Sequence, residues 1–182
     1  GFIQFDSTVD DSVANQHTLT VTSGSDYVWF QQAIGGQQPI LGLTATSSNS
    51  EYGVEFDGNI TTGAGGVTVN APSIFLGEFI DPVITTASGQ VNFNGSTYIN
   101  EDTTIDTTNG GLATGASVTF NGTLDDGNAP QTDSLTILAG TGDVNFNGRV
   151  GQNLHGDGTD LNSIQIESAN DVDNYLVQAP LV

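Results

Sequence analysis

One short phrase recurs through this chain at a nearly fixed interval, and that recurrence restricts the fold more than any other feature. It reads Ile3-Gln4-Phe5, Val28-Trp29-Phe30, Val54-Glu55-Phe56, Val91-Asn92-Phe93, Val118-Thr119-Phe120 and Val144-Asn145-Phe146. Its phenylalanines are spaced by 25, 26, 37, 27 and 26 residues. A β-branched residue stands two before each Phe, and a further apolar residue often stands four after it: Val9, Ile34, Ile60, Leu124 and Val150, with Thr97 as the exception. A period of two means a strand with one buried face. An Asn or Asp followed by Gly closes several copies, which is turn chemistry.

A second alternating segment follows most copies, as in Leu19-Thr20-Val21, Leu43-Thr44-Ala45, Val67-Thr68-Val69, Leu135-Thr136-Ile137 and Ile164-Gln165-Ile166. A unit of about 26 residues with two or three short strands cannot bury its apolar face alone. Stacked copies can, because each coil pairs its backbone with the next and extends a common core. The repeat therefore predicts an all-β parallel β-helix (β-solenoid) of about six coils, with Phe5, Phe30, Phe56, Phe93, Phe120 and Phe146 forming one interior ladder. A β-sandwich also shows short alternating strands, but its strands occupy unlike environments and give no reason for six copies of one phrase.

A longer echo overlies the short one. The stretch from Phe5 to Asp11 parallels the stretch from Phe120 to Asp126, and the match continues through Leu19/Leu135, Phe30/Phe146 and Leu43/Ile164. The chain reads as a single solenoid segment over residues 1–182, with a repeat block at 1–116 and a second beginning at 117–182. Opening on a strand-like segment without a leader, it reads as a fragment of a longer chain or a mature product. The wide interval between Phe56 and Phe93 holds Ile74-Phe75-Leu76, which reads as one additional buried strand plus a turn.

Twenty-one acidic side chains face a single basic one, Arg149, for a formal charge of −20. That balance repels phosphate backbones and anionic bilayers, so nucleic acid is excluded as a partner, and no apolar run is long enough for membrane insertion. Without cysteine there is no disulfide, thiolate metal site or cysteine nucleophile.

The phrases Val118-Thr119-Phe120-Asn121-Gly122-Thr123-Leu124-Asp125, Gly142-Asp143-Val144-Asn145-Phe146-Asn147-Gly148 and Asn70-Ala71-Pro72-Ser73-Ile74-Phe75-Leu76-Gly77 resemble those of very long repetitive bacterial surface proteins. These are the filamentous-haemagglutinin-like and related adhesin-type chains with β-helical repeats. The resemblance implies a right-handed parallel β-helix, export to the cell surface or exterior, and a part in adhesion or surface architecture. It brings no catalytic residues and no cofactor.

Chemistry-bearing residues are sparse. Asp10-Asp11 and Asp125-Asp126 pair carboxylates, but a glycosidase acting on acidic sugar also needs cationic groups, and only Arg149 is present. Asp143-Val144-Asn145-Phe146-Asn147-Gly148 matches the start of a calcium loop, yet its twelfth position is Leu154 where a bidentate acid is needed. Calcium candidates are the loop carboxylates Asp157, Asp160, Asp171 and Asp173. His17 and His155 read as loop histidines without partners. The Thr-x-Thr segments read as wet-face filler, with Gly42, Ser134 and Gln165 interrupting any register. Trp29, Phe75 and Phe79 form the candidate interaction patch, Trp29 on the outward phase of its strand. The expected function is a non-catalytic structural segment of a secreted bacterial surface adhesin, sheath or extracellular filament. Its expected partners are other copies or neighbouring segments of the same protein. The alternative is a glycan- or surface-binding β-module.

Overall fold

A computed structural model describes residues 1–127, 132–151 and 161–177. They form a parallel β-solenoid of about seven turns, without helix, in which each turn crosses three faces. On face I, Ile3, Val28, Val54, Ile74, Thr97, Leu124 and Val150 stand in one register. On face II the column is Val9, Ile34, Ile60, Ile84, Ile105, Ile137 and Ile166. On face III it is Leu19, Leu43, Val67, Val91, Val118, Val144 and Val172. The chain visits the faces in the order I, II, III, and coils are numbered here from their face I strand.

Alternation drives this arrangement. In Val28–Phe30, Val54–Phe56 and Val118–Phe120 the outer two residues are buried and the middle one is half-buried. The inward residues of all three faces merge into one continuous apolar core. Backbone groups pair between coils, so no turn has to satisfy its own strands and every coil supports its neighbours.

The six phenylalanines do not form one ladder. Phe5, Phe30 and Phe56 stack on face I, with ring centroids 4.6 and 5.1 Å apart. Phe93, Phe120 and Phe146 stack on face III, at 5.2 and 5.5 Å. Above Phe56 the face I column continues as Leu76, Ile99 and Asp126. Below Phe93 the face III column continues as Val69, Ala45 and Val21. Each of the first six coils thus carries one inward ring, on face I in coils one to three and on face III in coils four to six. The position on the other face holds something smaller, as expected of a close-packed interior of constant cross-section.

This change of side accounts for the irregular interval. From Phe56 to Phe93 the chain passes through a whole turn and two further faces. Residues 74–76, read from sequence as an additional strand, are the ordinary face I strand of coil four. The seventh coil carries no phrase, because Asn174 stands in register with Phe146; counting phrases therefore yields six coils where the backbone makes seven. The longer echo is displaced by one face throughout. Phe5 lies on face I and Phe120 on face III, Val9 on II and Leu124 on I, Leu19 on III and Leu135 on II.

The corner from face III to face I is built by Asn and Gly. Asn94, Asn121 and Asn147 each donate a side-chain hydrogen bond to the Asn one coil below, at 2.8, 2.6 and 2.8 Å, beginning at Asn70. The glycines that follow allow the coils to touch. A Cβ on Gly95 would lie 1.7 Å from Ala71 O, one on Gly122 2.2 Å from Gly95 O, and one on Gly148 2.0 Å from Gly122 O.

Candidate functional site

The outward column of face I runs Gln4, Trp29, Glu55, Phe75, Tyr98 and Asp125. These residues occupy the solvent phase of strands whose inward neighbours are core, so the fold turns them outward without any local signal of function. Phe75 and Tyr98 stack at 5.1 Å. At the adjoining corner Phe2, Tyr27 and Tyr52 form a second aromatic series, with centroids 5.0 and 5.8 Å apart. Between the two series lies an open groove of about 590 Å³, lined by Tyr27, Trp29, Glu51, Tyr52, Glu55, Phe75, Glu78 and Asn100.

Three carboxylates meet beside this groove, Glu55 and Glu78 in its lining and Asp57 in the lining of a neighbouring hollow. Glu55 stands on the face I strand of coil three, and Asp57 is the first residue beyond that strand. Glu78 comes from the turn after residues 74–76 in coil four, which Gly77 opens at φ +77°. The three side chains each bring an oxygen within 4.8 Å of the others. Asp57 is only 5% exposed; its Oδ2 accepts the Trp29 indole N–H at 2.7 Å, while its Oδ1 is sealed from solvent and accepts no hydrogen bond from the described residues. Burial, reinforced by the neighbouring Glu78 and Asp57, pushes the Glu55 carboxyl up to about 8. Burial also raises Asp57, against the opposing pull of the Trp29 hydrogen bond.

Of the predicted interaction patch, Trp29 and Phe75 share this groove, whereas Phe79 does not line it. Phe79 is 72% exposed and borders a separate hollow of about 250 Å³ with Gln31, Asp57 and Ile80. Among the calcium candidates, Asp171 is exposed and its carboxylate accepts the Val172 N–H at 2.8 Å. Asp171 and Asp173 join no cluster of three ligating side chains among the described residues. Asp157 and Asp160, like His155, lie outside the described residues. Asp143 and Asn147 are tied into inter-coil bonds with Asn170 and Asn121, and Phe146 between them is core.

The paired aspartates hold backbone in place. Asp11 accepts the N–H groups of Gln16 and His17 at 2.9 and 2.8 Å, and its Oδ1 lies 2.7 Å from His17 Nδ1. His17 therefore has a partner, contrary to its sequence reading, and that ring holds the Asp11 carboxyl far below its ordinary range. Asp10 accepts from Gln37 N and Gln38 N of the next coil. Asp126 occupies the inward position above Ile99 and is 1% exposed. The threonines keep register over three coils only: Thr20, Thr44 and Thr68 stand in one column, and above them stand Asn92, Thr119 and Asn145. Gly42 pairs with Thr18 at the start of the same strands, and Ser134 and Gln165 belong to face II.

Sequence reasoning found Trp29 and Phe75 but missed Glu55, Asp57 and Glu78 as a group. No family model matches the chain, and comparison with curated proteins and with solved structures gives no match.

Proposed function

We propose that this chain is a non-catalytic structural segment of a secreted bacterial surface protein, an adhesin, sheath or filament whose work is length and display. The observation that carries this reading is the unbroken parallel stack, in which every coil presents the same three faces to the next. Seven turns at the ordinary strand spacing span roughly 34 Å, a rise of roughly 5 Å for each unit of about 26 residues. A repeat that extends without changing its cross-section suits a spacer, and the net charge of −20 keeps its exposed strands from sticking to one another. Immunogold labelling of the producing cells with an antibody against this chain tests the assignment. Label at the outer surface or on appendages is the expected result; label confined to the cytoplasm sinks it.

A second reading is favoured by the groove on face I. Flat aromatic side chains beside carboxylate acceptors suit the apolar faces and hydroxyls of a sugar, so this segment also serves as a glycan-binding surface. Affinity on a glycan array that is lost in Trp29→Ala and Tyr52→Ala supports this reading. Equal binding by the variants refutes it.

A further inference from the structure

We propose that Glu55, Asp57 and Glu78 form a calcium site that ties coil three to coil four on face I. Carboxylates packed this closely repel one another, and the cost is relieved by a proton or by a cation. No basic side chain performs that service: the chain has no lysine, and its single arginine, Arg149, sits beside Val150 towards the far end of the stack. The Asp57 carboxylate points independently to a ligand. It brings an oxygen within 4.8 Å of the other two and is 5% exposed, and its Oδ1 accepts no hydrogen bond from the described residues. An oxygen in that condition keeps its desolvation penalty unless something satisfies it. The Trp29 indole holds Oδ2 at 2.7 Å and so fixes the carboxylate in place.

Hard oxygen donors with no nitrogen or sulfur select calcium or magnesium over transition metals. Calcium fits better, because it accepts irregular geometry with six to eight oxygens, whereas magnesium demands a near-octahedral shell. Asp57 is fixed and Glu78 is exposed on a turn, so the set is half rigid and half adjustable. The adjoining groove is open and admits the waters that complete the shell. An affinity of about 10⁻⁴–10⁻³ M is typical of extracellular modules.

Trp29, the single tryptophan, is hydrogen-bonded to one of the three ligands and supplies the probe. Terbium is titrated into the whole chain with excitation at the red edge of tryptophan absorption, and calcium is then added in competition. The expected result is sensitised emission that saturates at one equivalent and is reversed by calcium, with magnesium far less effective. Glu78→Gln should weaken binding by at least the roughly 10–100-fold that losing even a supporting group costs a metal site. Asp171→Asn, a distant exposed carboxylate, should change nothing. Glu78 is exposed, so its variant folds even if Asp57→Asn does not. Absence of sensitised emission overturns the site. So does emission that Glu78→Gln leaves unaltered, which would mean diffuse condensation of cations on an acidic chain.

Discussion

The two short phenylalanine stacks make a prediction that one six-ring ladder does not. Phe93 and Phe120 stack directly, with centroids 5.2 Å apart, while Phe56 and Phe93 sit on different faces above and below other partners. Leu is the suitable replacement, because Leu76 already fills the ring's place in coil four. Truncation to Ala would cost about 3–5 kcal/mol at each site, and two such losses approach the whole stability of a domain, roughly 5–15 kcal/mol. Each Phe→Leu change should cost about 0.5–3 kcal/mol. Stacked aromatic pairs contribute about 0.5–1.5 kcal/mol beyond the area they bury. A double-mutant cycle on Phe93 and Phe120 should therefore show a coupling of that size. The cycle on Phe56 and Phe93, whose rings stand on different faces and do not stack, should show a smaller coupling. Urea unfolding followed by far-ultraviolet circular dichroism supplies all the free energies. Equal couplings in the two cycles, or none between Phe93 and Phe120, would refute the two-column packing.

Three further outcomes follow from the same packing. Leu76→Phe places a second ring in coil four and should destabilise by about 1–3 kcal/mol through overpacking, read as a lower urea midpoint; an unchanged or raised midpoint contradicts the one-ring rule. Gly122→Ala drives a methyl group to 2.2 Å from Gly95 O, so the variant should lose most of its cooperative melting, whereas Ser96→Ala nearby should not. Stability should fall as pH rises from about 4.5 to 8, because folding lifts Glu55 from 4.5 to about 8 and Asp133 from 3.8 to about 6, both chiefly by burial, and so favours their protonated forms. Glu55→Gln should flatten that decline in a series of melting curves. Asp11, held low by His17, acts in the opposite sense and withdraws stability as the chain is acidified below the ordinary carboxylate range.

The period and the strand chemistry were legible because they are local. A β-branched residue, an outward residue and a Phe specify one inward-outward-inward strand wherever they occur, as in Val54–Phe56 and Val118–Phe120. Which face such a strand joins is not local. Val54-Glu55-Phe56-Asp57-Gly58 and Val91-Asn92-Phe93-Asn94-Gly95 are nearly the same sentence, yet one lies on face I and the other on face III. Strands on all three faces must satisfy the same condition, one apolar side towards a shared core, so the sequence has no reason to distinguish them. What decides is the length of chain between strands and the room left by the opposite face. That is why the echo beginning at Phe120 keeps its order while sliding by one face: a repeat copied within a solenoid can be re-seated at a different phase and still fill each coil with one ring.

The same reasoning explains why the carboxylate cluster escaped notice. Glu55 and Asp57 are two apart across the end of one strand, an ordinary pattern for an outward residue and a corner, and Glu78 sits more than twenty residues later after a run of glycine, threonine and valine. Nothing in their spacing resembles a ligand loop. They meet because stacking brings the residue after one face I strand beside the residues after the next, and because the corner that follows face I is longer in coil four, residues 77–82, than in coil three, residues 57–59. In a solenoid, residues one coil apart are neighbours while residues five apart on the chain can point to different faces. A functional site in this architecture is thus written down the columns, and the chemistry of Trp29, Glu55, Asp57, Phe75 and Glu78 becomes readable only once the register between coils is known.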